Sequence, residues 1–244
     1  QFAEAMLQRT LQPYQFIILV LVVLLIVVAV TEFPRCKPLA ADSNESKATI
    51  GETLRYLAGN GRFKAGIVAQ FLYVGMQTAV WSFTIRLALQ LDPALNERVA
   101  SNYMIWAFIG FFVGKFIANI LMTKFNENKV LIVYSILGVL ALLYVINVHN
   151  MSAVWAAIFT SALFGPCWAT IYARTLDTIE DKRHTETGGA VIVMSIIGGA
   201  VIPVIQGFVS DHTGSMQTAF IVSLLCFVAV LVYFISARRW ELQK

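Results

Sequence analysis

Five polar or aromatic side chains interrupt a long apolar stretch between residues 63 and 90. They comprise two amides, two aromatic rings and a hydroxyl: Gln70, Tyr73, Gln77, Trp81 and Thr84. At about 100° per residue, these positions fall within one sector of a helix. Amides match vicinal hydroxyl groups with paired hydrogen bonds, and an aromatic ring covers the apolar side of a ligand. This combination indicates recognition of a hydroxyl-bearing molecule.

The stripe must turn away from lipid. The stretch 63–90 exceeds the roughly 20 residues that a helix needs to cross a bilayer. An unpaired amide in hydrocarbon is strongly unfavourable. We therefore expect the stripe to face other helices or an aqueous cavity. For each residue, ligand contact and a hydrogen bond within the bundle both remain open.

Composition identifies the class of protein. Hydrophobic residues make up 58% of the 244 residues and charged residues 13%, against about 25% charged in soluble domains. This predicts an integral, multi-pass, all-α membrane protein. The net charge of +4 is spread over several loops, which indicates membrane topology rather than a nucleic-acid partner. The three cysteines lack metal-ligand spacing, so we expect no metal site.

Acids and imidazoles are predicted to lie outside the membrane core. All 14 acidic residues and the three histidines fall in loops, termini or helix ends. No pair of side chains inside the spans has the types needed for acid–base or metal catalysis, so we predict that the protein is not an enzyme. No carboxylate or imidazole stands at mid-membrane to carry a proton.

Seven membrane spans are predicted, and a long connection follows the first. The chain begins at Gln1 without the basic flank and cleavage site of a signal peptide, and we expect it to be part of a longer protein. Residues 1–31 form a lead-in followed by a span without polar side chains. Residues 32–62 form a connecting loop that contains a short surface helix at 50–58. Residues 63–244 form a six-helix lobe. The predicted spans are 14–30, 63–90, 102–122, 130–148, 154–176, 188–210 and 218–237.

Loop charges predict the orientation. Cationic residues accumulate in cytoplasmic loops of membrane proteins. With loops assigned alternately to the two sides, only Arg9, Arg86 and Arg98 fall on one side. The long loop and the C-terminus are therefore predicted to be cytoplasmic. The cations on that side are Arg35, Lys37, Lys47, Arg55, Arg62, Lys64, Lys124, Lys129, Arg174, Lys182, Arg183, Arg238, Arg239 and Lys244.

Polar faces recur on three further spans. Four striped helices and two plain ones fit a cavity lined by some helices of a bundle and shielded from lipid by the others. The plain spans are 130–148 and 218–237. The additional stripes are Asn102 with Trp106, Ser161 with Gly165, Trp168 and Tyr172, and Ser195 with Gly199 and Gln206.

Several residues have two possible roles. Trp168, beside a Pro166 that can kink its helix, is a movable wall of the cavity or a packing residue. Gln206 lines the cavity or bonds a neighbouring helix, and Asn102 lines it or caps its own helix. Lys115, the only charge well inside a span, is expected to serve a structural or gating salt bridge.

Small residues are predicted to serve packing and motion. Gly110, Gly114 and Ala118 form a strip that permits close helix approach. Gly198, Gly199 and Pro203 are expected to loosen their span and let it bend.

Three segments resemble the C-terminal half of sugar permeases in the fucose/proton symporter family of the major facilitator superfamily. They are AQFLYVGMQTAVWSFTIR (69–86), VMSIIGGAVIPVIQGFVSD (193–211) and SNYMIWAFIGFFVGKF (101–116), and QPYQ (12–15) resembles the start of that fold's sixth helix. The resemblance implies helices six to twelve of twelve: the last helix of the N-terminal lobe followed by the C-terminal six-helix lobe.

The resemblance also implies a function. Family members import L-fucose or related hexoses with protons by alternating access, so the expected partners are a small sugar, the lipid bilayer and an N-terminal lobe. No cofactor is expected beyond the coupling proton, whose carriers would lie in that lobe, and the expected location is the bacterial inner membrane. Side-chain type and position predict substrate-binding roles for Gln70, Tyr73, Gln77, Trp81, Asn102, Trp168 and Gln206. The resemblance also favours this role for Gln70 and Gln77.

One motif departs from the family pattern. Family members commonly carry an aromatic residue and then Pro-Thr-Ile-Phe-Ser in the tenth helix, whereas residues 165–170 read GPCWAT. This departure leaves the sugar open. The alternatives are a facilitator for another small polar solute, sodium coupling, or a seven-helix receptor-like protein that does not transport.

Overall fold

The computed structural model describes residues 2–31 and 48–242. The chain divides into two units, Gln1–Ser46 and Lys47–Lys244. In the first, the described residues form one helix, α1 (Phe2–Val30), whose large apolar side chains between Tyr14 and Val30 are exposed. The predicted connecting loop lies partly outside the described residues, as do the cations Arg35, Lys37, Lys47 and Lys244 assigned above.

The described part of the second unit is built from helices and contains no strand. This confirms the all-α prediction. Two short 3₁₀ segments, Lys182–His184 and Ser195–Ile197, precede and interrupt the helical run that ends at Thr213. The α-helices are α2 (Ile50–Gly59), α3 (Gly61–Leu91), α4 (Glu97–Lys124), α5 (Glu127–Asn147), α6 (Ser152–Phe164), α7 (Cys167–Leu176), α8 (Thr185–Met194), α9 (Gly198–Thr213) and α10 (Met216–Leu242).

Five helical segments of the described chain are long and apolar enough to cross a membrane. They are Glu97–Lys124, Glu127–Asn147, Ser152–Leu176, Lys182–Thr213 and Met216–Trp240. Two other predicted spans are not among these five. Tyr14–Val30 is the apolar part of the longer helix α1. The polar stripe of α3 lowers its hydropathy, although its 31 residues exceed the length required.

Helix α3 is the centre of the six-span bundle. It packs against α4, α6, α7, α9 and α10. Its buried positions surround most of its circumference, from Gly66 and Ala69 through Met76 and Val80 to Leu87. A helix with partners on several sides can contain amides and hydroxyls because those groups find partners other than lipid.

The span 152–176 is interrupted at Gly165 and Pro166. Helix α6 ends at Phe164 and α7 begins at Cys167, at the position where Pro166 predicts a kink, because proline has no backbone N–H to donate. The hydroxyl of Tyr73 donates a hydrogen bond to the Phe164 carbonyl over 2.8 Å. An α3 side chain thereby satisfies a carbonyl at the interruption.

Glycines allow two close crossings. A Cβ added at Gly114 of α4 would lie 1.9 Å from the Ala162 carbonyl oxygen of α6, and one at Gly198 of α9 would lie 2.0 Å from the Phe71 carbonyl oxygen of α3. At these distances no side chain fits between the helix backbones. Gly110, one turn before Gly114, has its nearest atom at 3.6 Å, which is ordinary contact.

Helix α2 packs on the end of the bundle where α3 begins and α7 and α10 end, called here the α2 end. The buried Thr53 hydroxyl and the Nδ1 atom of His184 are 2.8 Å apart, and the ring of Tyr56 stacks on that imidazole at 4.5 Å. Asn60 caps α3 and donates to the Thr178 carbonyl over 2.8 Å. These contacts attach α2 to the turn that follows α7.

The carboxylate of Asp181 organises the same turn. It accepts hydrogen bonds from the side chain and backbone of Arg183, and these bonds lower the pKa of the carboxyl from its usual value to about 2. Its Oδ2 atom is also 3.6 Å from the Nε2 atom of His184. The carboxylate therefore stays ionised at neutral pH.

Replacing Gly114 with alanine should separate α4 from α6. The added methyl group meets backbone that cannot move without shifting a helix, and overpacking of this kind costs about 1–3 kcal/mol. We expect a lower unfolding temperature for the detergent-solubilised intact protein. Gly110→Ala is the matched control and should be neutral or slightly stabilising, since alanine favours helix. Equal effects of the two substitutions would contradict the assigned crossing.

Replacing Tyr73 with phenylalanine should destabilise the interruption between α6 and α7. The Phe164 carbonyl would lose its partner, at a cost of about 1 kcal/mol. Tyr134→Phe is the control, because the Tyr134 hydroxyl lies 3.4 Å from its acceptor, the Gly114 carbonyl, and contributes a weaker bond. The same thermal-unfolding assay measures both, and a larger loss for Tyr134→Phe would argue against this role for Tyr73.

Candidate functional site

The five stripe residues of α3 differ in exposure. Gln70, Tyr73 and Thr84 are buried, whereas Gln77 and Trp81 are half-buried. The face as a whole is directed at α4 and at the interrupted span α6–α7, as the contacts of Tyr73 and Trp81 show. Part of the stripe holds the bundle together, and Gln77 is the amide that stays partly accessible.

Gln70 is the least satisfied of these groups. Its side chain is fully buried, and among the described residues neither its amide oxygen nor its amide nitrogen has a hydrogen-bond partner. A buried amide without partners costs about 1–3 kcal/mol for each group left unpaired, so such groups require a reason. A water molecule or a ligand hydroxyl supplies both a donor and an acceptor, as this amide requires.

Trp81 is fixed within an aromatic cluster. Its indole N–H donates to the hydroxyl of Ser161 over 3.1 Å. Its ring makes edge contacts with Phe108 and Phe111 of α4 at 5.0 and 5.5 Å and with Phe164 of α6 at 6.5 Å. The cluster joins three helices beside the interruption and gives the polar face a rigid aromatic wall.

Trp168 lies just beyond the interruption. Its ring is 37% exposed and stacks on Tyr172 with centroids 5.5 Å apart and an angle of 6° between the planes. Pro166 is buried beside it. The backbone of Lys115 borders Gly165, where an added Cβ would lie 2.6 Å from the Lys115 nitrogen. The Lys115 side chain is exposed.

Two other predicted residues lie apart from this face. Asn102 on α4 is exposed, near Trp106, whose ring is 6.4 Å from that of Trp155. Gln206 is fully buried, and its side-chain oxygen accepts a hydrogen bond of 2.6 Å from Ser223 of α10, while its amide nitrogen has no partner among the described residues. The amide of Gln206 is thus directed at α10 rather than at the Gln77 face.

Gly198 and Gly199, which follow the 3₁₀ segment Ser195–Ile197, pack on α3. Gly198 contacts Phe71, and Gly199 is close to Thr78 and Val74. Helix α9 continues through Pro203, while the 3₁₀ segment Ser195–Ile197 immediately precedes Gly198. A helix that changes its winding directly before two glycines has a place at which it can bend.

Carboxylates are absent from the described interior of the spans. No aspartate or glutamate is buried among the described residues, and these residues contain no group of three or more side chains suited to a metal ion. The arrangement can therefore bind a polar molecule through amides, hydroxyls and aromatic rings.

Sequence reasoning missed partners that are distant along the chain. It did not connect Tyr73 with Phe164, Gln206 with Ser223, or Thr53 with His184. Each pair is separated by between 17 and 131 residues. The sequence shows only that a polar residue lies within an apolar span and needs a hydrogen-bond partner. It does not show which residue of another helix is that partner.

The sequence is similar to those of several curated transporters. The chain is 30% identical over 223 residues to the L-fucose-proton symporter of Escherichia coli (strain K12), an alignment covering 91% of this chain and 50% of that protein. It is 25% identical over 225 residues to the glucose/galactose transporter of Brucella abortus biovar 1 (strain 9-941), covering 91% and 52%. The chain spans about half the length of these curated relatives.

A solved structure shares the fold. The crystal structure of a variant of the Escherichia coli fucose:proton symporter matches with a TM-score of 0.79 and 29% identity, covering 93% of this chain and 54% of that one. A crystal structure of a Major Facilitator Superfamily transporter in the outward conformation matches with the same TM-score and covers 92% of this chain.

The family profile of the Major Facilitator Superfamily matches residues 66–242, which include α4 to α10 and most of α3. This confirms the resemblance seen in the segments 69–86, 101–116 and 193–211, and the matched part corresponds to the C-terminal half of the relatives. The chain belongs to the Major Facilitator Superfamily.

Proposed function

We propose that this chain forms the C-terminal part of a secondary active sugar transporter that imports L-fucose or a related hexose together with protons by alternating access. The observation that carries the proposal is the polar face of α3. There Gln70, whose amide has no partner in the described part of the chain, and the half-buried Gln77 lie on one side of the helix. The relatives named above for L-fucose-proton symport support it.

The chemistry of this face suits a sugar. A binding pocket combines apolar walls with a few placed polar groups. Gln70 and Gln77 would hydrogen-bond vicinal hydroxyls, and Trp81 would supply the flat surface on which the C–H side of a pyranose ring packs. Tyr73, already bonded to Phe164, would hold the wall in place rather than change partner.

Residues outside α3 would complete the site. Trp168, exposed and stacked on Tyr172, would form a movable wall, and Asn102 and Gln206 would line the cavity at a distance from the Gln77 face. Lys115 would serve a salt bridge or a gate. In this proposal the interruption at Pro166 and the 3₁₀ segment before Gly198, Gly199 and Pro203 are the positions at which the spans bend.

Coupling to protons would depend on another part of the protein. An intramembrane proton carrier is a carboxylate or an imidazole. The described spans bury no carboxylate, and the buried imidazole of His184 lies at the α2 end, where it contacts Thr53. We place the carriers in an N-terminal lobe, with which this chain would enclose the substrate, and expect no organic or metal cofactor. The bacterial inner membrane and a cytoplasmic C-terminus are part of the same proposal.

A second candidate substrate is glucose or galactose. The relatives from Brucella abortus and Helicobacter pylori carry names for these hexoses. Both hexoses present the vicinal hydroxyls that paired amides recognise, so the α3 face suits them equally well.

Replacing Gln77 with alanine should weaken sugar binding. Loss of the amide leaves at least one sugar hydroxyl without a partner in a confined site, which corresponds to a drop in affinity of about tenfold. The measurement is equilibrium binding of radiolabelled L-fucose, D-glucose and D-galactose to the intact protein, with sugar-independent proton leak followed in proteoliposomes. Binding should fall while the leak changes little.

Ser82→Ala is the matched control, because Ser82 is exposed and lies about 140° around α3 from Gln77. It should leave the affinity unchanged. Unaltered affinity in Gln77→Ala would count against the sugar-facing role, and binding of none of the three hexoses by the unmodified protein would refute the proposed substrate class.

A further inference from the structure

Two adjoining cavities lie at the α2 end of the second unit. The first has a volume of about 830 Å³ and is bounded by the turn between α2 and α3, the end of α7 and the end of α10. Its charged lining includes Arg62, Asp177 and Glu180. A water molecule occupies about 30 Å³ in the liquid, so this cavity has room for a much larger ligand.

The second cavity is an apolar groove of about 360 Å³ between α3 and α10. Ala65, Val68 and Leu72 line one side and Ala229 and Val232 the other. Val68 and Val232 are each 56% exposed, so the groove opens on the outer surface of the bundle. Spans of a membrane protein expose such surfaces to acyl chains.

The two cavities are neighbours and share two wall residues. Tyr233 and Trp240 line both of them. The groove thus runs along the spans and ends beside a polar chamber. Trp and Tyr are enriched where membrane helices meet the headgroup layer. The apolar groove matches the acyl chain of a phospholipid, and the charged chamber at its end matches the headgroup.

The charges of the chamber are of both signs. The guanidinium carbon of Arg62 lies 5.7 Å from the centroid of the Trp240 ring, and Lys64 stands in the lining of the groove. Asp177 and Glu180 are exposed, and within the described part of the chain no cation is paired with either carboxylate. Arg174, which also lines the chamber, is engaged by Glu127 and Asn128.

We propose that the groove and the chamber together form a binding site for a phospholipid with an ethanolamine headgroup. One acyl chain lies between α3 and α10, the phosphate is held by Arg62 and Lys64, and the primary ammonium donates hydrogen bonds to Asp177 and Glu180. Charge-assisted hydrogen bonds of these kinds are stronger than neutral ones. The inference is independent of the transported substrate.

Other common headgroups fit this charge pattern less well. A glycerol headgroup offers the two carboxylates no cation. A choline headgroup carries a positive charge but has no N–H to donate, so Asp177 and Glu180 would remain without hydrogen bonds. The chamber therefore favours ethanolamine over glycerol and choline lipids that have the same acyl chains.

Native mass spectrometry tests the site. The intact protein is delipidated in detergent and offered an equimolar mixture of phosphatidylethanolamine, phosphatidylglycerol and phosphatidylcholine with identical acyl chains. We expect the ethanolamine lipid to be retained in excess. Arg62→Gln should reduce its retention roughly fivefold. Arg55→Gln is the matched control: Arg55 is an exposed cation of α2 outside both linings, and its loss should change nothing.

Two further variants distinguish the contribution of the lipid headgroup from that of the acyl chain. The double variant Asp177→Asn, Glu180→Gln should lose the preference for ethanolamine over choline. Ala229→Phe should fill the groove and reduce retention of all three lipids. Soluble glycerophosphoethanolamine, which has no acyl chain, should not displace the bound lipid. Thermal unfolding of each variant checks that it is folded.

Equal retention of the three lipids, preference for glycerol or choline, or retention unaffected by Arg62→Gln would overturn the proposal. Absence of any retained lipid would also overturn it and would indicate that another part of the protein covers the groove.

Discussion

The structure depends on one constraint: polar groups within a bilayer must find partners inside the protein. Helix α3 contains two glutamines, a tyrosine, a tryptophan and several hydroxyls, and other helices cover it on several sides. The bond from the Tyr73 hydroxyl to the Phe164 carbonyl shows the result most directly. A polar group of α3 is satisfied by the same interruption that Pro166 creates in the neighbouring span, so each feature stabilises the other.

Packing follows from the same arrangement. Glycines at 114 and 198 bring α4 onto α6 and α9 onto α3 until backbones touch, and this contact replaces the hydrophobic driving force that is weak between helices in lipid. Each end of the bundle is closed by polar contacts: Asn60 and Thr53 attach α2 at one end, and Gln90 and Gln217 bond the turns at the other. The middle of α3 is left with the unsatisfied Gln70 and the half-buried Gln77.

Sequence alone predicted the helices because each carries a local signal: long apolar runs, proline at an interruption, and small residues four apart at Gly110 and Gly114. The sequence did not predict which polar side chains find a hydrogen-bond partner in a neighbouring helix. For both Gln206 and Gln70 the sequence left cavity lining and a bond within the bundle open. Gln206 bonds to Ser223, and Gln70 has no partner among the described residues. These outcomes depend on contacts between distant parts of the chain. Helix α3 is not among the five clear spans, because the polar stripe lowers its hydropathy.

We propose that the Gln77 face of α3 contacts a transported sugar. The most direct test of this proposal is chemical protection in the intact protein with Cys36, and every accessible cysteine outside this chain, replaced by serine, since Cys167 and Cys226 are buried. Cysteine is placed at Gln77 or, as a control, at Ser82, and alkylation by a small maleimide is timed with and without L-fucose, D-glucose or D-galactose. We expect one of these sugars to slow labelling at position 77 and to leave labelling at position 82 unchanged. Labelling at position 77 that none of them slows would contradict it.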